Sequence, residues 1–198
     1  MHVLTADAAP LRNLELCINR AHLTVEMMVA TPYASGLSAL VEDEAQMGAA
    51  CIDIGGGTTT IAIFNENKFV YADAIAVGGN HITMDIARGM SARLDEAERL
   101  KVKQGSALPS TADERDMLSV LPIGDEDGEM PNQIPRAVLT RIIRARVEET
   151  LEIIRDRLNQ SGYGQAIGKR IVLTGGGSQL QGLAEVARRI LARNVRIG

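Results

Sequence analysis

This chain has few aromatic side chains and no excess of positive charge. Its 198 residues include no tryptophan, and aromatic residues make up 3% of the sequence. The formal net charge is −4 at pH 7. Proteins that bind nucleic acids carry a basic surface, and single-strand binders stack bases on aromatic rings. The composition therefore argues against DNA and RNA as partners and, with 45% hydrophobic residues, predicts a globular chain.

Cysteine, histidine and long apolar runs are scarce as well. Cys17 and Cys51 stand far apart in apolar stretches without CxxC spacing, so we expect reduced core residues rather than metal ligands or a disulfide. Three scattered histidines form no HExxH motif. No run approaches the ~18 apolar residues of a membrane span, and the N-terminus lacks the pattern of a signal peptide. We expect a cytoplasmic protein whose contact with a membrane is at most indirect.

A glycine-rich turn lies between two short apolar runs. The sequence DIGGGTTT at residues 53–60 ends a predicted buried strand over 49–54 and begins a second one over 58–64. Glycines let backbone N–H groups approach an anion, threonine hydroxyls add donors, and Asp53 suits hydrated Mg²⁺. It is not a Walker A loop, because no Gly-Lys-Ser/Thr follows, and it is not a dinucleotide fingerprint, because that loop opens a helix and not a second strand. A plain tight turn is the alternative, since glycine-rich hairpins are common.

A second glycine cluster follows a second buried strand. Residues 171–174 predict this strand, residues 175–177 are all glycine, and a helix carrying Leu183 and Ala187 comes next. We expect this loop to open the helix, so that the N–H groups of Gly176 and Gly177 face a phosphate or a sugar. Either cluster alone is a weak signal. Two of them in one compact chain are much harder to attribute to chance turns.

Hydrophobic periodicity predicts the remaining elements. They are, in order, a helix after Pro10, a strand over 23–30, a helix from Pro32, an antiparallel meander over 49–77, a helix capped by Asn80, a helix that stops before Gly105, and a long amphipathic helix from Pro135 to about residue 160. Two acidic runs, at residues 42–44 and 125–129, are expected to be solvated turns.

The order of these motifs resembles a known architecture. The Asp-x-Gly-Gly-Gly-Thr hairpin, a two-helix insertion and the Leu-Thr-Gly-Gly-Gly-Ser loop resemble the second half of the superfamily of actin, sugar kinases and heat-shock chaperone ATPases. Four stretches are similar to the FtsA family of bacterial cell-division proteins: AIAVGG at 74–79, TMDIARG at 83–89, AERLK at 97–101 and IIRARVEE at 142–149. The resemblance implies an α/β fold, namely an actin-like half with a ribonuclease H-like core and an inserted α+β subdomain.

The resemblance also implies how the chain is divided. Residues 1–48 correspond to the remnant of a first actin-like lobe, with the end of its association subdomain and a connecting helix. Residues 49–80 and 160–198 correspond to the nucleotide-binding core, and residues 81–159 to an inserted partner-binding subdomain. The family's first phosphate loop and its C-terminal membrane-binding helix find no counterpart in the sequence. We therefore expect a fragment or a divided protein with low nucleotide affinity.

ATP with Mg²⁺ is the implied cofactor. The hairpin would meet the β and γ phosphates, Asp53 would organise hydrated Mg²⁺, Glu98 and Lys101 would meet ribose and base, and the second loop would hold adenosine. The implied contacts are Asp53, Gly55, Gly56, Gly57, Thr58, Thr59, Glu98, Lys101, Gly175, Gly176, Gly177, Ser178 and Leu180. From spacing alone, Glu98 and Lys101 also fit a surface ion pair. Thr31 stands where relatives carry a water-orienting Glu or Gln, so hydrolysis is expected to be slow or absent.

The implied partner is the acidic and apolar C-terminal tail of the tubulin-like protein FtsZ. Arg136, Arg141 and Arg144 are the candidates for pairing with its carboxylates, and a solvated charged rim is the alternative. The first hypothesis is a scaffold that links the FtsZ ring to the inner face of the cell membrane at the division site. It would self-associate into actin-like filaments and reach the membrane through the C-terminal helix absent here. A sugar or acyl kinase of the same superfamily is the main rival, and a chaperone-like ATPase is the third.

Overall fold

The chain alternates helices and short strands. The structure is a computed structural model that describes residues 3–123, 131–165 and 167–198. Its elements are α1 (Ala8–Arg20), α2 (Thr31–Ala39), α3 (Glu42–Met47), β1 (Ala49–Ile54), β2 (Thr59–Asn65), β3 (Lys68–Ile75), α4 (Gly79–Gly89), α5 (Leu94–Gln104), β4 (Met117–Val120), β5 (Asn132–Pro135), α6 (Arg136–Gln160), β6 (Arg170–Thr174), a 3₁₀ turn (Gly176–Gln179), α7 (Leu183–Leu191) and β7 (Asn194–Ile197). The acidic run 125–129 lies outside the described residues, so the turn expected there stays a prediction.

Strand β1 lies at the centre of a five-stranded mixed sheet with the order β3-β2-β1-β6-β7. It pairs antiparallel with β2 and parallel with β6, so that Cys51 lies between Ala62 and Val172. Strand β2 continues antiparallel to β3. The predicted meander is confirmed, because tight turns join neighbouring β-branched strands. The parallel edge strand β7 has no comparable signal in the sequence.

Helices cover both faces of this sheet, and the strand residues alternate accordingly. Ile52 and Ile54 face a large buried cluster that they share with α4, α6 and α7. Cys51 faces the opposite side and packs with Phe64 beneath α2 and α3. The predicted apolar stripe of α6 is buried in full: Leu139, Ile143, Val147, Leu151, Ile154 and Leu158. The strand period of 2 residues in β1 and the helix period of 3.6 residues in α6 thus correctly predict which side chains are buried.

The chain between β3 and β6 builds on the same core. Helices α4 and α5 lie side by side, and the two-stranded sheet of β4 and β5 leads directly into α6. Leu118 and Val120 of β4 belong to the same buried cluster as Ile52 of the central strand. One continuous core therefore extends from the sheet into this part of the chain. The division into subdomains at residues 81 and 159 stays a prediction.

Residues 23–30 form no strand, contrary to the alternation seen in the sequence. A strand is stable when its backbone groups pair with a neighbour. The sheets of the described residues offer this segment no partner strand. Met27 and Val29 remain 77% and 50% exposed. The prediction is wrong for this chain, because pairing, and not alternation alone, makes a strand.

The acidic run 42–44 is helical and not a solvated turn. Glu44, in α3, is only 4% exposed. Arg196 of β7 donates to both of its carboxylate oxygens, at 2.8 Å from Nε and 2.5 Å from Nη2. The hydrogen bond from Arg196 holds the pKa of Glu44 below its ordinary value, although burial acts in the opposite direction. The local sequence misses this, because the partner lies 152 residues away.

Two smaller expectations also need correction. Cys17 is exposed on α1, whereas Cys51 is buried as expected, and burial raises the pKa of its thiol to about 12. Helix α4 begins at Gly79 with Gly78 as its N-cap, so Asn80 lies inside the first turn and does not cap it.

Among the described helices, none has the length and apolar character that crossing a membrane requires.

Candidate functional site

The two glycine turns meet at one cavity. Strands β1 and β6 run parallel as neighbours, so the turns that follow them emerge at the same edge of the sheet. A cavity of about 400 Å³ opens between these turns and the helices α4 and α5. Ligand pockets are commonly of this size. Seven of the residues implied by the family resemblance line it: Gly55, Gly56, Glu98, Lys101, Gly176, Gly177 and Leu180.

The first glycine turn is braced by the start of α4. Within the turn, the Gly55 N–H donates to the Thr58 carbonyl at 2.9 Å. From outside, the Gly79 N–H donates to the Gly55 carbonyl, also at 2.9 Å. A Cβ at Gly78 would lie 2.5 Å from that carbonyl oxygen, which is closer than real Cβ atoms come. The pair Gly78 and Gly79 therefore allows α4 to begin directly against the turn.

The second turn crosses the end of β1. Gly175 has φ of +81°, and a Cβ there would lie on the Asp53 carboxylate and 2.6 Å from the Ile54 carbonyl oxygen. Backbone at positive φ is the conformation that glycine adopts without strain. The chain then makes the 3₁₀ turn Gly176–Gln179, and helix α7 begins only at Leu183. The expectation that the glycines open the helix directly is therefore wrong, because a short 3₁₀ turn lies between them and α7.

Two of the hydroxyls expected to contact the nucleotide, one in each loop, are engaged elsewhere. Thr59 is fully buried, and its hydroxyl donates to the Val77 carbonyl at 2.8 Å. The Ser178 hydroxyl donates at 2.7 Å to the carbonyl of the first glycine in its own turn. Both hydroxyls stabilise the loops and are not free for a ligand. Gly57 and Thr58 are exposed at the tip of the first turn and do not line the cavity.

Asp53 lies beside the cavity on the α2 face of the sheet. The Ser35 hydroxyl donates to its Oδ2 at 2.6 Å. Across the strand pair, the Thr60 hydroxyl is buried without a hydrogen-bond partner in the described structure. No group of three or more metal-binding side chains exists in residues 3–123, 131–165 and 167–198. A single carboxylate can hold Mg²⁺ through its water shell where a bound phosphate supplies further ligands.

Glu98 and Lys101 form more than a surface ion pair. Lys101 Nζ donates to Glu98 Oε2 at 2.6 Å, to Thr83 Oγ1 at 2.9 Å and to the Gly79 carbonyl at 3.1 Å. The Thr83 hydroxyl donates to the same Glu98 oxygen at 2.5 Å. Burial raises the pKa of Glu98, but the bonds from Lys101 and Thr83 outweigh it and leave the pKa below its ordinary value. Sequence reasoning missed Thr83, whose signal is a polar residue on the buried face of α4.

The three candidate arginines of α6 have different surroundings. Arg136 lies near the buried Asp113, with 3.8 Å between Nε and Oδ1. Arg144 Nε donates to Glu148 Oε1 at 2.9 Å. Arg141 is exposed and makes no ion pair with a described residue. Of the three, Arg141 is thus the side chain that a partner can engage without breaking an existing pair.

Sequence comparison connects nearly the whole chain to one family. The family model described as "Cell division protein FtsA" matches residues 50–198. The chain belongs to the FtsA family. Proteins named "Cell division protein FtsA" from Rhizobium meliloti (strain 1021) and Agrobacterium fabrum (strain C58 / ATCC 33970) are 66% and 64% identical to it over 198 residues. These alignments cover 100% of this chain and 45% of each relative, so the chain spans about half of their length.

A solved structure extends the likeness of this FtsA-family chain to its fold. MreB5 of Spiroplasma citri bound to ADP aligns with a TM-score of 0.79 at 20% identity, over 98% of this chain and 61% of that chain. The actin-like α/β fold expected from the sequence is thereby confirmed. The family match likewise confirms the resemblance drawn from the glycine turns and the four similar stretches.

Proposed function

We propose that this chain is the ATP-binding part of a cell-division scaffold of the FtsA family. The observation that carries the proposal is the cavity that the two glycine turns share, with Glu98 and Lys101 in its wall. The similar MreB5 structure contains ADP, and the curated relatives are named cell-division proteins. The phosphates of ATP would lie at the first turn and the adenosine at the second, against Leu180.

Asp53 is the residue proposed to hold Mg²⁺ through water, with Ser35 fixing the orientation of its carboxylate. Bound Mg²⁺ would neutralise charge on the β and γ phosphates. Any hydrolysis would be slow, because Thr31 opens α2 with a neutral hydroxyl, which is a weak base for activating water at neutral pH. The chain would therefore use ATP as a regulatory ligand more than as a substrate.

Filling the cavity with a side chain tests the nucleotide proposal. Gly176 lines the cavity, and a Cβ there meets no atom within 4 Å, so the Gly176→Leu variant should fold and project its side chain into the cavity. Titration calorimetry should show ATP·Mg²⁺ binding to the wild-type chain and a loss of about tenfold or more in affinity for the variant, equivalent to at least ~1.4 kcal/mol. Phosphate release, followed in the same samples, should be slow.

The matched control is Gly164→Leu. An added Cβ at Gly164 also meets no atom within 4 Å, and this residue does not line the cavity. Its ATP affinity should equal that of the wild type. Absence of binding to the wild type, or equal binding by both leucine variants, would refute the site. Rapid turnover that Asp53→Ala abolishes would refute slow hydrolysis.

For the partner, we propose the C-terminal tail of FtsZ, bound along the exposed side of α6. The FtsA family membership and the arginines of this helix support the proposal. Arg141 would pair with a carboxylate of the tail, Arg144 would do so by exchanging Glu148, and Arg136 would mainly hold the helix start against Asp113. Of the three arginines, Arg141 would contribute most to binding of the tail.

The Arg141→Ala substitution tests this order. Exposed ion pairs contribute up to about 1 kcal/mol, so affinity for an FtsZ-tail peptide should fall by roughly fivefold, and the loss should shrink at high salt. Arg155→Ala is the matched control on the same helix, since Arg155 is an exposed arginine beside Asp156. Unchanged affinity after replacing Arg136, Arg141 and Arg144 together would remove the assignment.

The remaining parts of the proposal concern the cell. The protein would act in the cytoplasm, at the inner face of the cell membrane at the division site, and would link the FtsZ ring to that membrane. It would also assemble with its own kind into actin-like filaments. The FtsA family match supports this scaffold role over a sugar or acyl kinase of the same fold. Membrane contact would come from a C-terminal amphipathic helix of the kind that the family resemblance implies.

A further inference from the structure

A single hydroxyl connects the two charged residues of the cavity wall. Thr83 lies on the inner face of α4 and is 7% exposed. Its Oγ1 donates to Glu98 Oε2 at 2.5 Å and accepts from Lys101 Nζ at 2.9 Å. The Gly79 carbonyl, at 3.3 Å, is the more distant acceptor for the same proton. Thr83 is therefore both donor and acceptor in one buried cluster with the two charged groups.

This cluster uses the donors of Lys101 completely. An ammonium group has three N–H bonds, and Lys101 directs them to Thr83, Glu98 and the Gly79 carbonyl. Both bonds that Glu98 accepts from described side chains end on Oε2. Its second oxygen, Oε1, is left to accept a bond from a ligand, and Glu98 lines the cavity. The two residues thus differ in role, since one is saturated and the other has an open acceptor.

The same cluster is joined to the first glycine turn. Lys101 holds the Gly79 carbonyl, and the Gly79 N–H donates to the Gly55 carbonyl at 2.9 Å. The next residue, Asn80, donates its N–H to the Gly56 carbonyl at 2.8 Å. A continuous set of hydrogen bonds therefore runs from α5 through the start of α4 to the turn.

We propose that Thr83 is a positioning residue that holds Glu98 so that Oε1 accepts a hydrogen bond from a sugar hydroxyl of the bound nucleotide. Thr83 also keeps Lys101 on the Gly79 carbonyl at the start of α4, which in turn braces the first glycine turn. The inference rests on the proposed nucleotide function and adds a specific route by which the sugar is selected. Loss of the hydroxyl releases one constraint on each charged group.

Three variants of the 198-residue chain separate positioning from general stability. Thr83→Val keeps the side-chain shape and removes the hydroxyl, whereas Thr83→Ser keeps the hydroxyl. Thr150→Val is the matched control, because Thr150 is similarly buried, at 9% exposure, and its hydroxyl donates to the Arg146 carbonyl one turn earlier on α6. That hydroxyl has no contact with Glu98 or Lys101.

The deciding measurement compares ATP with 2′,3′-dideoxy-ATP by titration calorimetry. The wild type should prefer ATP by about tenfold, as expected for a hydrogen bond to a charged group. Thr83→Val should reduce this preference to about twofold, and both Thr83→Ser and Thr150→Val should retain it. Equal weakening of both nucleotides in Thr83→Val, with the preference unchanged, would show a purely structural role and overturn the inference. Equal binding of the two nucleotides by the wild type would overturn it as well.

A second measurement needs no nucleotide. An NMR titration of the Glu98 carboxyl should give a higher pKa in Thr83→Val than in the wild type or Thr83→Ser, because a donor to the carboxylate is lost. If the wild type binds neither nucleotide, the proposed function fails, and this titration alone decides whether Thr83 positions Glu98. An unchanged Glu98 pKa in Thr83→Val would then refute the inference.

Discussion

The Gly175→Ala substitution is expected to lower the free energy of unfolding by about 3 kcal/mol and the melting temperature by roughly 6–12 °C. Gly175 has φ of +81°, a backbone conformation that strains residues with a Cβ. The added carbon would also lie 2.6 Å from the Ile54 carbonyl oxygen and on the Asp53 carboxylate. Relief requires moving β1 or the turn, and either movement distorts the cavity. Thermal and urea unfolding would measure the loss, and nucleotide titration would show weakened binding.

The next residue supplies a control of opposite sign. Gly176 lacks positive φ, and a Cβ there meets no atom within 4 Å. Gly176→Ala should therefore leave stability unchanged or raise it by about 0.5 kcal/mol, because alanine restricts the unfolded chain more than glycine does. If the two alanine variants unfold at the same denaturant concentration, the described conformation of the second turn is incorrect.

Arg196→Ala should cost about 3 kcal/mol, the lower end of the range for breaking a buried ion pair, since the Arg196 side chain is itself 40% exposed. The substitution leaves Glu44, at 4% exposure, without its charged partner. It also removes the bond from Arg196 to the Ala39 carbonyl at 2.7 Å. Strand β7 should then separate from α2 and α3 first, which amide hydrogen exchange can detect.

Replacing Glu44 instead of Arg196 should cost less stability, because an unpaired Arg196 side chain can reach water whereas an unpaired Glu44 carboxylate cannot. Glu44→Gln should cost roughly 1 kcal/mol, and Arg155→Ala, which removes an exposed pair, should cost almost nothing. Arg196 lowers the folded-state pKa of Glu44 below its ordinary value of 4.5. The stabilisation is thus present above pH 4.5 and disappears as the pH falls through the lowered value. If wild type and Glu44→Gln show the same pH dependence across that range, the pair is not stabilising.

Sequence patterns predicted the elements whose stability is local. The β1–β2–β3 meander and the buried stripe of α6 each repeat a period that one segment carries alone. The strand expected over 23–30 failed because its pairing partner is missing from the described sheets. Edge strand β7 and the burial of Glu44 were missed for the related reason that both depend on contacts distant in sequence.

In the candidate site, too, locally determined features were predicted and features that depend on distant contacts were missed. Glycine-rich turns can be recognised from the sequence, and the structure brings Gly56 and Gly176 to one cavity. The hydrogen-bond partners of hydroxyl groups cannot be read from the sequence. The Thr59 hydroxyl reaches the Val77 carbonyl through the geometry of the sheet. The Thr83 hydroxyl contacts Glu98 and Lys101 because α4 and α5 pack together. Composition and spacing thus locate the loops that form the cavity, while tertiary packing decides which polar atoms face it.

The parallel pairing of β1 with β6 has a kinetic consequence. The antiparallel strands close over short turns, so they can assemble early, whereas Cys51 meets Val172 only after the long intervening segment has been ordered. Closing such a distant contact is entropically slow. We therefore expect the cleft between the turns to form at a late stage of folding. A ligand that contacts both turns would stabilise the β1–β6 pairing after it has formed. Such a ligand should therefore lower the rate of unfolding more than it raises the rate of folding.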